Sequence, residues 1–238
     1  MYFDWNGCNV EEFEFEGKRA FIAIPKNPKP NADFLFKTEY WGAYPDIERR
    51  MVEEHGYYSV GIKHQTRFSP DSDLECDERF IDYVRKKYSL AEKCSLVGMS
   101  MGGSHAVKFA GKYPKKVKCI FIDAPVLNYF SFPVNRKWEV TKEEFLKAYP
   151  MEKYELFGSD IHPICKVKTL IENKIPVLLV YGKEDATVPY EESGLFLEEA
   201  YKNHPELLTV VPVNNRGHHP HGFMSDNTPI VEFILKNS

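Results

Sequence analysis

The chain has 238 residues, 43% of them hydrophobic, and a formal net charge of -4 at pH 7. That length suits one α/β domain with its own core, and Lys and Arg interspersed with Asp and Glu leave no basic stripe, which argues against a nucleic-acid partner. No apolar run is long enough to cross a bilayer, and the start, Met1-Tyr2-Phe3-Asp4-Trp5, lacks the basic and apolar regions of a secretory signal. The five cysteines at 8, 76, 94, 119 and 165 are odd in number and scattered, with no C-x-x-C spacing. Reduced thiols in a cytoplasmic protein are expected from that pattern, with no membrane partner.

In chain order, residues 10–24 alternate apolar and polar around Gly17-Lys18, the pattern of an antiparallel hairpin at a sheet edge. A Pro-rich loop covers 25–31, a short strand 34–36, and a helix 47–55, closed by Gly56 at the C-cap position. A strand is expected over 57–62 and a helix over 73–88, with Phe80, Ile81 and Val84 at helical spacing. Residues 94–97 form an apolar run and 104–112 a helix-compatible stretch; 117–122 reads as a strand. The last strands are 176–181 and 207–211, and the last helices 192–201 and 229–235. This alternation argues for a mostly parallel sheet covered on both faces, in a single domain spanning 1–238. Residues 126–175 break it with a run of aromatics including Tyr129, Phe130, Phe132, Trp138, Phe145 and Tyr149. Most of these aromatics are expected to pack the segment onto the sheet edge, with one or two reaching a ligand.

The chemistry sits in Gly98-Met99-Ser100-Met101-Gly102-Gly103, a G-x-S-x-G placed between strand and helix. A serine hydroxyl is a poor nucleophile at neutral pH and needs exposure, a base and an anion hole. A tight strand-to-helix turn supplies the exposure, and small residues at 98 and 102 let backbones approach. An acid and a histidine follow in order. Asp185 lies after the 176–181 strand in Gly182-Lys183-Glu184-Asp185-Ala186-Thr187-Val188-Pro189. His218 lies after the 207–211 strand in Gly217-His218-His219-Pro220-His221-Gly222. Glu184 and Asp123 are rival acids, and His219 and His221 rival bases. Three clustered histidines can also ligate zinc, but no adjacent carboxylate or cysteine completes a set, so no metal is expected.

G-x-S-x-G, G-x-x-D-x-x-V-P and a late G-H, in that order, resemble the α/β-hydrolase superfamily over nearly the whole chain. The G-H-H-P-H-G ending and the Trp41-Gly42 loop look more narrowly like small microbial hydrolases related to carbohydrate esterases and prolyl-oligopeptidase-type catalytic domains. The resemblance implies Ser100 as nucleophile, His218 as general base and Asp185 as its orienting acid, with 126–175 as a cap insertion. It implies an oxyanion hole from the Met101 N–H and one donor in the loop Lys37-Thr38-Glu39-Tyr40-Trp41-Gly42, either Glu39 or Tyr40. Tyr40, Trp41, Trp138 and His219 are candidate substrate contacts. Asp123 reads as a structural carboxylate, and histidines 55, 64, 105, 162 and 204 as surface or helix-end residues. The implied activity needs no cofactor: hydrolysis of a small-acyl ester, with a small molecule or oligosaccharide as substrate. A peptidase or amidase of the same fold and a noncatalytic binding protein on this scaffold are the alternatives.

Overall fold

The computed structural model describes residues 8–223 and 225–238. The opening residues read above for a signal lie outside them. Strands β1 (Asn9–Phe15) and β2 (Lys18–Ile24) pair antiparallel from Asn9↔Ile24 to Phe15↔Lys18. Glu16 and Gly17 both take positive φ, 48° and 73°, as a two-residue hairpin turn of matching twist requires. The remaining strands are β3 (Phe34–Lys37), β4 (Tyr58–Ile62), β5 (Cys94–Met99), β6 (Val117–Asp123), β7 (Val177–Gly182) and β8 (Leu208–Val213). They complete one sheet in the order β1-β2-β4-β3-β5-β6-β7-β8. Only β2 runs against its neighbours; β3 to β8 are parallel. The chain therefore has the α/β-hydrolase architecture.

Central strands β5 and β6 are buried along almost their whole length, as strands covered on both faces must be. On one face lie α1 (Asp46–His55) and α7 (Thr228–Lys236), which bury Ile47, Met51, Ile230 and Ile234 with Val97 and Phe121. On the other lie α2 (Asp71–Tyr88) and α3 (Met101–Lys112), whose Phe80, Ile81 and Phe109 join Phe36 and Leu96. Helix α2 starts two residues before its expected position, because extended Pro70 ends the preceding loop and Asp71 and Asp73 favour the positive helix start. No helix among the described residues is long and apolar enough to cross a membrane.

Between β6 and β7 the chain forms α4 (Trp138–Ala148), α5 (Val167–Glu172) and several short turns. The 192–201 helix expected from sequence is instead a turn at Tyr190–Glu192 followed by α6 (Gly194–Tyr201). Ser193 breaks it, because its hydroxyl accepts from Leu127 N (2.8 Å) and donates to Pro125 O (2.7 Å) instead of facing solvent.

Under α4, Phe68, Tyr129, Phe145 and Tyr149 form one aromatic cluster, with Phe68 and Phe145 edge to face at 5.1 Å. The Lys108 ammonium rises into it from α3 and donates to Ser69 O at 2.6 Å and to the Tyr149 hydroxyl. Burial pushes this lysine down to about 7 from an ordinary 10.5. Between those values the unfolded chain binds the extra proton. The burial cost is thus full below about pH 7 and fades as pH rises toward 10.5. Lys108→Met should shrink the gain in unfolding free energy between pH 7 and pH 9, measured by urea denaturation against the parent chain.

Candidate active site

Ser100 occupies the turn from β5 into α3 with φ +51° and ψ -117°, a conformation that disfavours a side chain. Its surroundings hold it there. Ser100 N donates to Asp123 O (2.9 Å), and Ser100 O accepts from Gly103 N (3.0 Å) and Val126 N (3.1 Å). Position 98 must be glycine, because a Cβ there would lie 2.4 Å from Gly102 O. The G-x-S-x-G spacing thus follows from backbone contact across the turn.

The structure brings Ser100, Asp185 and His218 together from three separate loops. His218 Nε2 is 3.0 Å from Ser100 Oγ, and His218 Nδ1 is 2.7 Å from Asp185 Oδ2. Asp185 Oδ1 accepts from Thr187 N and Val188 N, both at 2.9 Å. Burial works to raise the Asp185 carboxyl, but the bonds from His218 and Val188 outweigh it and hold it below its ordinary value. An ionised Asp185 fixes His218 with its proton on Nδ1 and its lone pair on Nε2, facing the serine. Gly182 makes this possible: a Cβ there would meet Arg216 O at 2.2 Å, so only glycine lets the end of β7 touch the histidine loop.

The rival carboxylate has another task. Asp123, at the end of β6, is fully buried and takes a bidentate pair from Arg216, at 2.6 and 2.7 Å. It also accepts from Gly222 N at 2.5 Å, while Arg216 Nη1 donates to Gly222 O at 2.6 Å. Arg216 and Gly222 flank the histidine cluster, so this ion pair fixes the loop that presents His218. Sequence reasoning read Asp123 as structural but missed Arg216, whose burial has no local signal. His221 is buried beside the same carboxylate, its Nδ1 3.4 Å from Asp123 Oδ1. His219 is exposed, with its ring stacked on Tyr44 at 5.7 Å.

A cavity of about 440 Å³ opens onto Ser100 and His218, walled by Tyr40, Tyr44, Phe132, Val140 and Met101 with His219 at one side. A larger hollow of about 510 Å³ adjoins it, sharing Tyr40 and Arg67, but it contains no nucleophile. Arg67 grips Glu144 of α4 at 3.0 and 2.6 Å and so joins the loop before α2 to the cap. Two of the expected substrate contacts lie outside the serine cavity. Trp41 lines the larger hollow and stacks on Phe21 at 5.3 Å, because a flat aromatic neighbour on β2 covers it. Trp138 lines neither cavity; it packs on Phe145 at 5.6 Å and under the Lys153 ammonium at 4.6 Å. Phe132, from the segment between β6 and β7, lines the same cavity as Ser100, a placement its sequence position did not single out.

The loop between β3 and α1 is pinned to the start of α3. Thr38 N donates to Val97 O (3.2 Å) and its hydroxyl to Gly102 O (2.6 Å). Glu39 lies against Gly102, whose Cβ would be 3.1 Å from the Glu39 Cβ. Tyr40 N donates to the Glu39 carboxyl at 3.1 Å. That carboxyl is raised above its ordinary value by burial. The histidines at 64, 105 and 162, expected at the surface, are buried instead. His64 and His105 both bond through Nε2 to the fully buried Asp77 of α2, at 2.6 and 2.5 Å, which gives one polar atom of each ring a partner in the core.

Residues 79–235 match the prolyl oligopeptidase family. A carboxylesterase of Bacillus subtilis, YbfK, is 25% identical over 85% of this chain and 78% of its own length. S-formylglutathione hydrolase FrmB of Staphylococcus aureus has a similar fold, with TM-score 0.72 and 16% identity over 97% of this chain and 98% of that one. An acylaminoacyl peptidase of Pyrococcus horikoshii has TM-score 0.73 and 16% identity over 97% of this chain. The chain spans only 35% and 42% of the lengths of two peptidase chains that it matches.

Arg216→Met leaves the Asp123 carboxylate buried without its cation. We expect a loss of about 3–5 kcal/mol in stability, because an uncompensated buried charge is costly. At temperatures where the variant stays folded, hydrolysis should still fall, since the loop carrying His218 loses its anchor. Urea denaturation and ester hydrolysis on the same samples check both.

Proposed function

The chain belongs to the prolyl oligopeptidase family, and from that premise we propose that it is a serine ester hydrolase removing small acyl groups, acetyl among them, from a carbohydrate or a similar alcohol. The observation that carries the reading is the line of contacts from Asp185 through His218 to Ser100, 2.7 and 3.0 Å long, opening into a partly aromatic cavity. Ser100 Oγ attacks the acyl carbonyl while His218 Nε2 takes its proton, and the ionised Asp185 stabilises the imidazolium. The carbonyl oxygen becomes an oxyanion facing the start of α3. Met101 opens that helix, so its N–H has no partner within the helix. The Glu39 N–H beside it supplies the second donor, because the Tyr40 N–H is already given to the Glu39 carboxyl. His218 then protonates the departing alcohol, and water repeats the sequence to release the acid.

A cavity of about 440 Å³ suits a small acyl ester with part of its alcohol, and Tyr40 and Tyr44 offer ring and hydroxyl surfaces to a sugar. The five free thiols are in keeping with a cytoplasmic enzyme acting on imported small molecules or oligosaccharides. The likeness to an acylaminoacyl peptidase favours one second reading, hydrolysis of amides by the same three residues. Rates on simple aryl esters against aminoacyl anilides separate the two. A fluorophosphonate that fails to label Ser100 would return the chain to the noncatalytic class.

Acetate release from acetylated oligosaccharides should fall by at least about 10⁴-fold in Ser100→Ala, since its nucleophile is gone. A variant keeping full activity sinks the mechanism. Asp185→Asn should lower kcat by roughly 10⁴-fold while leaving the fold intact, because an amide at 185 no longer holds the proton on His218 Nδ1. Steady-state kinetics with a circular-dichroism control measure this effect.

A further inference from the structure

Among the described residues, two clusters gather possible ligand atoms tightly enough to hold a metal: His64, Asp77 and His105 in the core, and His218, His219 and His221 at the cavity. The first is already satisfied. Its two imidazole nitrogens bond directly to Asp77 at 2.6 and 2.5 Å, leaving no gap between ligand atoms for an ion.

The second is built differently. Its three rings stand edge to face, with centroids 4.7, 5.1 and 5.0 Å apart and interplanar angles of 70°, 79° and 87°. One nitrogen from each lies within 4.8 Å of the others, and no hydrogen bond links ring to ring. Carboxylates stand behind two of the three. Asp185 engages His218 Nδ1 at 2.7 Å, which leaves Nε2 on the cavity side, 3.0 Å from Ser100 Oγ. Asp123 lies 3.4 Å from His221 Nδ1, a nitrogen that is buried and makes no hydrogen bond. A ring N–H given to a carboxylate, as His218 gives Nδ1 to Asp185, is the arrangement that orients histidine ligands and raises their basicity in metal sites. All three rings line the cavity holding Ser100, so an ion has a route in. The adjacent sequence offers no fourth ligand, but the carboxylates that complete the surroundings come from positions 123 and 185, far along the chain.

We propose that His218, His219 and His221 form an inhibitory site for a divalent transition cation of the zinc class. Three imidazole nitrogens suit zinc, copper and nickel, and a three-histidine set leaves a further position for water or substrate. The lone pair on His218 Nε2 can take the Ser100 proton or bind the cation, but not both. Occupation therefore withdraws the base and stops hydrolysis. The inhibition rests on His218 serving as general base; the binding does not.

The test has two arms. Chelator-treated Ser100→Ala protein is titrated with zinc chloride by calorimetry, which needs no activity. In parallel, ester hydrolysis is followed as zinc is added to the parent chain and then removed with EDTA. We expect one zinc per chain, with activity falling in step with occupancy and returning on chelation. His219→Asn, at an exposed position, should weaken both binding and inhibition by at least about tenfold, each rate being scaled to that variant's own metal-free rate. Undiminished zinc affinity in His219→Asn, or no stoichiometric binding to either chain, overturns the site. Stoichiometric binding lost in His219→Asn, with no ester turned over by the parent chain, upholds the site and overturns the hydrolase reading.

Discussion

Asp123 is the residue on which the geometry of the site turns. Its backbone carbonyl accepts the Ser100 N–H, and its carboxylate holds Arg216 and the Gly222 N–H. Ser100 and the loop that presents His218 are therefore referenced to the same residue at the end of β6. Burying such a pair costs desolvation that charge attraction alone seldom returns. Here one backbone group, the Gly222 N–H, adds to the carboxylate's bonds, and the pair acts less as a source of stability than as a ruler between Ser100 and His218. The loop from 214 to 223 has no helix or strand of its own, and this buried charge takes the place of one.

Helix α3 carries the second long-range connection. Its first residue follows Ser100 directly, and two turns later Lys108 reaches Ser69 O and the Tyr149 hydroxyl under the cap. Any shift of the cap is thus felt by the element that aims the nucleophile. The Arg67–Glu144 pair makes a parallel tie from the cavity wall to α4. Body and cap meet through these ionic and hydrogen-bonded contacts and through the aromatic cluster around Tyr129.

How much was legible in the sequence depended on how local the cause was. The strands and the glycine-framed Ser100 follow from neighbours a few residues apart; the hairpin was legible too, though its turn falls at Glu16-Gly17, one residue before the expected Gly17-Lys18, and the chain order of Ser100, Asp185 and His218 was readable only through motifs shared with the α/β-hydrolases. Arg216 and Asp123 are 93 residues apart, and nothing near either one marks it for burial. Ser193 looked like helix and was taken from it by contacts 66 and 68 residues away. Trp41 sat in the expected loop, but Phe21, on a strand brought alongside only by the sheet order, claimed its face. His64 and His105 looked like surface histidines because their shared partner, Asp77, belongs to another element. In each case the deciding partner was supplied by topology.

The positive φ at Ser100 has a consequence for the history of such a chain. Holding a side-chain residue in that conformation costs on the order of 1–3 kcal/mol, against a total stability of about 5–15 kcal/mol for an ordinary domain. Drift toward a more relaxed fold would favour glycine at 100, a replacement that eases the turn and deletes the hydroxyl. The residue most exposed to loss under selection for stability alone is the one that defines the site. Serine at 100 keeps a hydroxyl at the mouth of the cavity at the cost of backbone strain.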